Sequence, residues 1–151
     1  MEPVMSKELT SETIAIIKST APALQQHGVA ITTRMYERLF VDSEIKALFD
    51  QAAHIFGEQP KRLAAAILAF SNNVDRLEII NDAVNKICAR HVATHIKSEH
   101  YAAVANALLP AIRDVLGAAA TDEIINAWAQ AYWYLANVMI KREQNLYLYA
   151  S

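Results

Sequence analysis

Residues 81–95 read "NDAVNKICARHVATH", and they place a histidine at the end of an apolar stripe. Ile80, Val84 and Ile87 recur at intervals of four and three residues, which is the period of one face of an α-helix, and His91 follows on that face. A single histidine in such a position is most often a core residue whose polar atoms are hydrogen-bonded. It becomes a candidate ligand only where other polar side chains face it.

The composition predicts one compact helical domain. The chain has 151 residues, of which 54% are hydrophobic and 20% charged, with only 3 glycines and 4 prolines. A chain of this length buries roughly 68–70% of the surface that its unfolded form exposes, so a sizeable core is available. Strict apolar and polar alternation is nearly absent, whereas apolar residues recur at three and four. We therefore predict an all-α fold.

The charge balance and the apolar runs exclude several classes of function. A net charge of -2 with no cluster of lysine and arginine predicts no nucleic-acid partner. The longest apolar runs, such as "LAAAILAF" at 63–70, are short of the roughly 20 residues that span a bilayer, and no apolar signal region opens the chain. We expect no membrane span and a cytoplasmic location. Cys88, the single cysteine, has no internal disulfide partner.

Helix breakers and caps divide the chain into seven predicted helices. Pro22 should bend the first helix and Gly28 should end it, while Asp42 caps a short third helix. Pro60 suits the first turn of the fourth helix, and Pro110 should kink the sixth. The predicted helices cover about 10–26, 29–40, 43–49, 60–73, 77–92, 99–116 and 121–149, with a loop at 50–58.

Several polar side chains should face the core or lie beside it. Tyr36 shares a helix face with Val29, Tyr101 heads an apolar stripe, Glu143 ends one, and Gln59 precedes the fourth helix by one residue. A carboxylate on an apolar stripe requires a partner. Each residue also has an ordinary explanation, because inward tyrosines often only pack, a glutamate near a chain end is usually solvated, and a glutamine can simply cap a helix.

Two alternative site chemistries are weaker. His91 and His95 are four residues apart, a spacing that could place two imidazoles on one zinc ion, but no neighbouring cysteine pair or HExxH motif completes such a site. Cys88 is most simply a small buried hydrophobe. The sequence also has no Ser/His/Asp signature, phosphate-binding glycine loop or EF-hand.

The sequence resembles a known family over nearly its whole length, from about Thr10 to about Tyr147. The matching stretches are "ITTRMYERLF" at 31–40, "ALFD" at 47–50, "EQPKRLA" at 58–64, "KICARHV" at 86–92, "EHYAAVANALLPAI" at 99–112, "LGAAATDEIINAWAQAY" at 116–132 and "REQNLY" at 142–147. With these stretches in this order, the chain resembles the bacterial single-domain haemoglobins, which are similar to the haem domain of flavohaemoglobins.

The resemblance implies a globin fold at 10–151 after a flexible tail at 1–9, with haem b as cofactor. His91 would be the proximal iron ligand, and Tyr101 with Glu143 would form the proximal pair that hydrogen-bonds with it. The remaining implied residues lie around the haem: Phe49 packs against it, and Tyr36, Gln59 and Leu63 line its distal side.

The sequence departs from the family pattern at two places. Residues 102–105 read "AAVA" where the family commonly has Pro-Ile-Val-Gly, and Trp133 with Tyr134 replaces a usual Gly-Val pair. The resemblance therefore leaves open the shape of the pocket, any subunit contact and a homodimer.

The function implied by the resemblance is reversible O2 binding and transport, with NO and CO as further small ligands. Conversion of NO to nitrate would need a separate flavin reductase, because the chain has no room for flavin- and nicotinamide-binding domains. The alternative is a globin-fold gas sensor or a protein-interaction module that has lost haem.

Overall fold

A computed structural model describes residues 9–48 and 59–150, and within that part of the chain the regular elements are all helical. The all-α prediction is confirmed. The predicted loop at 50–58 lies outside the described residues, as does the predicted tail up to residue 8. The seven α-helices are α1 (Ser11–Ser19), α2 (Ala21–Leu39), α3 (43–48), α4 (Gln59–Asn72), α5 (Asn81–Ala93), α6 (Ser98–Leu116) and α7 (Asp122–Ala150), with short 3-10 helices at Leu77–Ile80 and Gly117–Ala119.

The first predicted helix boundary is wrong. α1 ends at Ser19, and α2 runs without interruption through Gly28. Pro22 lies in the first turn of α2, where its missing N–H is not needed, so it starts this helix instead of bending an earlier one. Gly28 permits close packing, because a Cβ atom there would lie 3.3 Å from the Cβ of Ala64 on α4. A glycine selected for contact between helices was therefore misread as a helix end.

Other helix starts agree with the sequence. The carboxylate of Asp42 accepts hydrogen bonds from the backbone N–H groups of Glu44 at 3.0 Å and Ile45 at 3.2 Å, which caps α3. Gln59 and Pro60 form the first turn of α4 as predicted. The Asp42 carboxylate satisfies backbone donors that a helix start leaves without an intrahelical partner, and Pro60 has no backbone N–H that needs one.

Most of the buried apolar side chains form what we call the large cluster, contributed by α1 to α4, α6, α7 and their connections. Its members are Ile17, Leu24, Ile31, Met35, Tyr36, Leu39, Ile45, Phe70, Val74, Ala107, Leu108, Ala111, Ile112, Ala120, Ala127, Trp128 and Ala131. Val29 was predicted to share this face but is 47% exposed. The other predicted members of this helix face, Thr32, Tyr36 and Leu39, are buried as expected, so the prediction is wrong for Val29 alone.

A second group, which we call the small cluster, lies where α5 and α6 pack on α7. It contains Val84, Cys88, Tyr101, Ala136 and Met139. The separation of the two clusters matters for function, because three candidate site residues meet beside the small one.

One segment, Ser98–Ala119, is long enough and apolar enough to cross a membrane by length and composition alone. Core helices of globular folds pass the same test. In this chain the segment is mainly α6, which packs against α2 and α7 and buries Leu108, Ala111 and Ile112 in the large cluster. It is therefore weak evidence for a membrane span.

Candidate functional site

Three polar side chains from three different helices converge beside the small cluster. The Nδ1 atom of His91 on α5 lies 2.8 Å from Oε2 of Glu143 on α7 and 3.0 Å from the hydroxyl oxygen of Tyr101 on α6. The Tyr101 hydroxyl lies 2.7 Å from the same carboxylate oxygen. Glu143 is buried, so it has exchanged water for these two partners.

The three contacts admit one arrangement of protons for a neutral imidazole. Burial, and then the negative charge of Glu143, raise the pKa of the Tyr101 phenol well above its usual range, so its hydroxyl keeps its proton. That proton is donated to the carboxylate. A bare Nδ1 at 2.8 Å from Oε2 would bring two lone pairs together, so Nδ1 must carry a hydrogen and donate it to Glu143. The unprotonated nitrogen of His91 is then Nε2.

The Nε2 atom is also the accessible ring nitrogen. Among the described residues, no buried side-chain nitrogen or oxygen lacks a hydrogen-bond partner. Nε2 has no partner among the described contacts, so it lies at an accessible surface, and 29% of the His91 side chain is exposed. A neutral imidazole with one nitrogen donating to a carboxylate and a lone pair on the other is the arrangement in which histidine binds iron. The proximal residues therefore fit a haem group.

The predicted distal residues lie elsewhere in the fold. Tyr36 on α2 is buried in the large cluster, with its ring centroid 5.3 Å from that of Phe40, and burial raises the pKa of its hydroxyl well above its usual range. Leu63 on α4 is half-buried against the same cluster. Gln59 is the first residue of α4, but its side chain lies outside the described part of the structure, as does the whole of Phe49.

Comparison with known proteins identifies the fold and the cofactor class. The globin family model matches residues 33–139. This chain belongs to the globin family. Membership implies that it binds haem, in agreement with the proton arrangement at His91. The prediction of a globin fold is confirmed.

The relatives of this globin include both longer and single-domain proteins. A flavohemoprotein of Xylella fastidiosa is 47% identical over 139 residues, which are 92% of this chain but 35% of the flavohemoprotein. The chain thus spans about a third of the length of the flavohemoproteins that it matches. The bacterial globin of Campylobacter jejuni is 39% identical with a TM-score of 0.83, and the match covers 91% of this chain and 99% of that one.

A second solved structure carries information about activity. It is an engineered carbene transferase whose parent is a proposed nitric oxide dioxygenase of Rhodothermus marinus. It is 32% identical to this globin with a TM-score of 0.85, over 94% of this chain and 98% of that one.

Two tyrosines that hydrogen-bond to the backbone beside the site were not identified from the sequence. The hydroxyl of Tyr132 donates to the backbone carbonyl of Tyr101 at 2.6 Å, and that of Tyr147 donates to the carbonyl of Ile96 at 2.5 Å. Tyr147 follows Glu143 by four residues, so helical spacing places both on one face of α7. The spacing was visible in the sequence, but the backbone acceptors, one on α6 and one in the connection between α5 and α6, were not.

The zinc alternative is disfavoured by the end of α5. The helix ends at Ala93, and His95 lies beyond it with a φ of 64°, so His91 and His95 do not share a helix face. In the part of the chain that the structure describes, no group of three or more histidine, cysteine, aspartate or glutamate residues could hold a metal ion. Cys88 is buried, and burial and the Glu143 charge raise the pKa of its thiol to about 12, so it packs as an uncharged side chain.

Proposed function

We propose that this globin binds haem b through Nε2 of His91 and uses it for reversible O2 binding. The observation that carries the proposal is the hydrogen bond from Nδ1 of His91 to Glu143, with Tyr101 as the second donor to the same oxygen. It holds the imidazole in the tautomer that leaves Nε2 free. Haem, when bound, supplies the ligand-binding and redox chemistry.

Glu143 has a further role in this proposal. A carboxylate that accepts the Nδ1 proton makes the imidazole more imidazolate-like and therefore a stronger electron donor. A histidine bonded only to a backbone carbonyl donates less. Because Glu143 is buried, its charge acts through a medium of low polarity. The hydroxyl of Tyr101 gives the carboxylate a second hydrogen-bond donor beside His91. Such a proximal side favours activation of O2 over simple storage.

Tyr36 is the residue that we propose for the distal side, together with Gln59 and Leu63, while Phe49 packs against the haem. Its hydroxyl stays protonated because burial disfavours the phenolate. In apolar surroundings an O–H donor stabilises a diatomic ligand that takes on partial negative charge. O2 would gain more from this hydrogen bond than CO, because O2 acquires more charge.

We further propose that this globin converts NO to nitrate in the cytoplasm. The conversion of NO and O2 to nitrate consumes one electron, which a separate flavin reductase would supply. Two relatives support this activity. This chain matches about a third of a protein named flavohemoprotein, and the parent of a structural neighbour is a proposed nitric oxide dioxygenase.

The first test is the absorption spectrum of the full chain with added hemin, recorded in the ferric state, after dithionite reduction and under CO. We expect one haem per chain and a Soret band that shifts under CO. His91→Ala should lose this spectrum, whereas His27→Ala, which changes a histidine on α2 outside the proximal network, should retain it. An unsaturable, nonspecific spectrum in the parent chain would instead favour the protein-interaction alternative.

The second test addresses the NO chemistry. The oxygenated protein is mixed with NO in the presence of a flavin reductase and NADH, and the nitrate formed is measured. We expect one nitrate for each NO consumed over repeated turnovers. O2 binding without nitrate formation would restrict the function to oxygen binding.

A further inference from the structure

The turn that ends α5 starts from His91 itself. The backbone N–H of His95 donates to the carbonyl of Val92 at 3.1 Å, and the N–H of Ile96 donates to the carbonyl of His91 at 2.8 Å. These two bonds form a Schellman motif, in which the residue with positive φ is most often glycine. Here it is His95, with φ of 64°, a conformation that costs energy for a residue with a Cβ atom. Some other contact should help to hold the turn.

Ile96 makes that second contact. Its carbonyl accepts the hydrogen bond from the hydroxyl of Tyr147 on α7, and its side chain is buried. The Tyr147 phenol remains a donor, because burial and the nearby Glu143 charge raise its pKa. Ile96 therefore joins the backbone of His91, through its N–H, to the last part of α7, through its carbonyl.

Two residues on the same face of α7 hold His91, one directly and one through Ile96. Glu143 accepts the ring proton of His91, and Tyr147, one helical turn later, holds the turn that is bonded to the His91 carbonyl. The ring and the backbone of one residue are thus tied to one rigid helix. A fixed backbone keeps the imidazole at the distance and angle from which Nδ1 can donate to Glu143.

We propose that Tyr147 is a positioning residue for His91: through Ile96 it fixes the end of α5 and thereby the orientation of the imidazole toward Glu143. The inference rests on the proposed role of His91 as the iron ligand. A tyrosine that only stabilised the end of α7 would affect the free energy of unfolding and leave the ring unchanged. The test must therefore observe the ring.

The first readout is the Fe–His stretching band of the ferrous, five-coordinate, haem-loaded chain by resonance Raman spectroscopy. Tyr147→Phe removes one hydroxyl and keeps the ring, and we expect the band to shift to lower frequency or to split. Tyr134→Phe is the matched control, since it makes the same change on α7 at a half-buried tyrosine that has no hydrogen bond among the described contacts. An unshifted single band in Tyr147→Phe would overturn the proposal.

The second readout does not depend on haem. Long-range 1H–15N correlation of the full chain before hemin is added reports which ring nitrogen of His91 carries the proton. We expect the Nδ1–H tautomer alone in the parent and a mixture in Tyr147→Phe. A pure Nδ1–H signal in both chains would contradict the inference. Failure of haem binding in the parent would instead contradict the proposed function, so the two failures are distinct.

A rescue experiment tests the route through the turn. His95→Gly relieves the cost of positive φ, so in the Tyr147→Phe background it should restore at least part of the parental Raman band and tautomer signal. A double variant that behaves like Tyr147→Phe alone would show that the hydroxyl does not act through this turn. Circular dichroism of each variant checks that the helices remain intact.

Discussion

The large and the small cluster bury side chains in two different ways. In the large cluster nearly all contacts are apolar, and the side chains need to match one another mainly in shape and volume. The small cluster surrounds the contacts among His91, Tyr101 and Glu143, where every donor must face an acceptor. Substitutions that change side-chain volume in the large cluster should reduce stability. Substitutions that remove a donor or an acceptor beside the small cluster should instead change the chemistry of the His91 imidazole.

The energies of the two clusters explain this difference. Burial of one Ile, Leu or Met side chain contributes roughly 1.5–3 kcal/mol, and the large cluster contains many such residues. A buried carboxylate contributes little net stability, because its loss of hydration offsets its hydrogen bonds. The stability of the fold therefore depends mainly on the large cluster, and the contacts of Glu143 with His91 and Tyr101 add little to it.

The largest effect on stability is expected from Met35→Ala. Met35 is buried at the centre of the large cluster, and its truncation should lower the free energy of unfolding by about 2–5 kcal/mol through lost contacts and a cavity. Urea denaturation followed by circular dichroism measures this loss. Met139→Ala in the small cluster is the matched comparison, because it removes the same side chain, and it should cost less. An equal or greater loss at Met139 would break the distinction between the clusters.

Glu143→Gln should change the imidazole more than any substitution in the large cluster. Hydrogen bonds to a charged group are worth roughly 1.5–3 kcal/mol, against about 1 kcal/mol for neutral ones, and glutamine is a weaker acceptor for Nδ1–H. We expect a lower Fe–His stretching frequency in the ferrous five-coordinate protein. Met35→Ala should leave the band in place. No shift in Glu143→Gln would count against the proposed proximal role.

Tyr36→Phe tests whether the large cluster also contributes to ligand binding. Loss of one hydrogen bond worth about 1–2 kcal/mol should speed O2 dissociation roughly 5- to 30-fold. CO dissociation should change less. Stopped-flow or flash-photolysis kinetics give both rates, with Tyr134→Phe as the control. An unchanged O2 off-rate would remove Tyr36 from the distal role and assign the contact with bound O2 to other residues.

The alkaline stability of the chain should be sensitive to one tyrosine in each cluster. Burial raises the pKa of Tyr36 and of Tyr101 in the folded protein. Their stabilising effect is therefore complete below the unfolded pKa of about 10 and is lost as pH rises beyond it, at about 1.4 kcal/mol per pH unit for each group. Replacing either with phenylalanine should reduce the slope of unfolding free energy above pH 10 by that amount. Parental slopes in both variants would contradict the prediction.

The smallest effect is expected from His95→Gly. Glycine adopts a φ of 64° without steric cost but loses more backbone entropy on folding, so the net gain in unfolding free energy should be about 1 kcal/mol or less. Urea denaturation of the single variant measures it. A loss of stability would mean that the His95 side chain contributes contacts that outweigh the relief of strain.

The sequence predicted most helices because their signals are local. Asp42 and Pro60 act within a few residues, and the structure agrees with both of them. Gly28 was misread because the reason for a glycine there is Ala64, which is distant in sequence. Val29 was wrongly included in the buried face of α2 for a similar reason, since the packing of neighbouring helices decides how far along a helix that face extends.

The sequence indicated which residues form the site, but not how they contact one another. Helical periodicity marked His91, Tyr101 and Glu143 as unusual on apolar stripes, but it left an ordinary explanation open for each. The family resemblance joined them, and the structure places them within hydrogen-bonding distance. The roles of Phe49 and Gln59 stay predictions, because their side chains lie outside the described residues.

The sequence by itself determined the helical class, most helix starts and most members of the apolar faces, because these depend on period and on caps within one turn. Only the tertiary structure decided that one oxygen of Glu143 meets both His91 and Tyr101, and that Tyr147 reaches Ile96. These contacts join residues 42 to 52 positions apart in the chain. Their existence depends on how α5 and α6 pack against α7, and no local pattern records that packing.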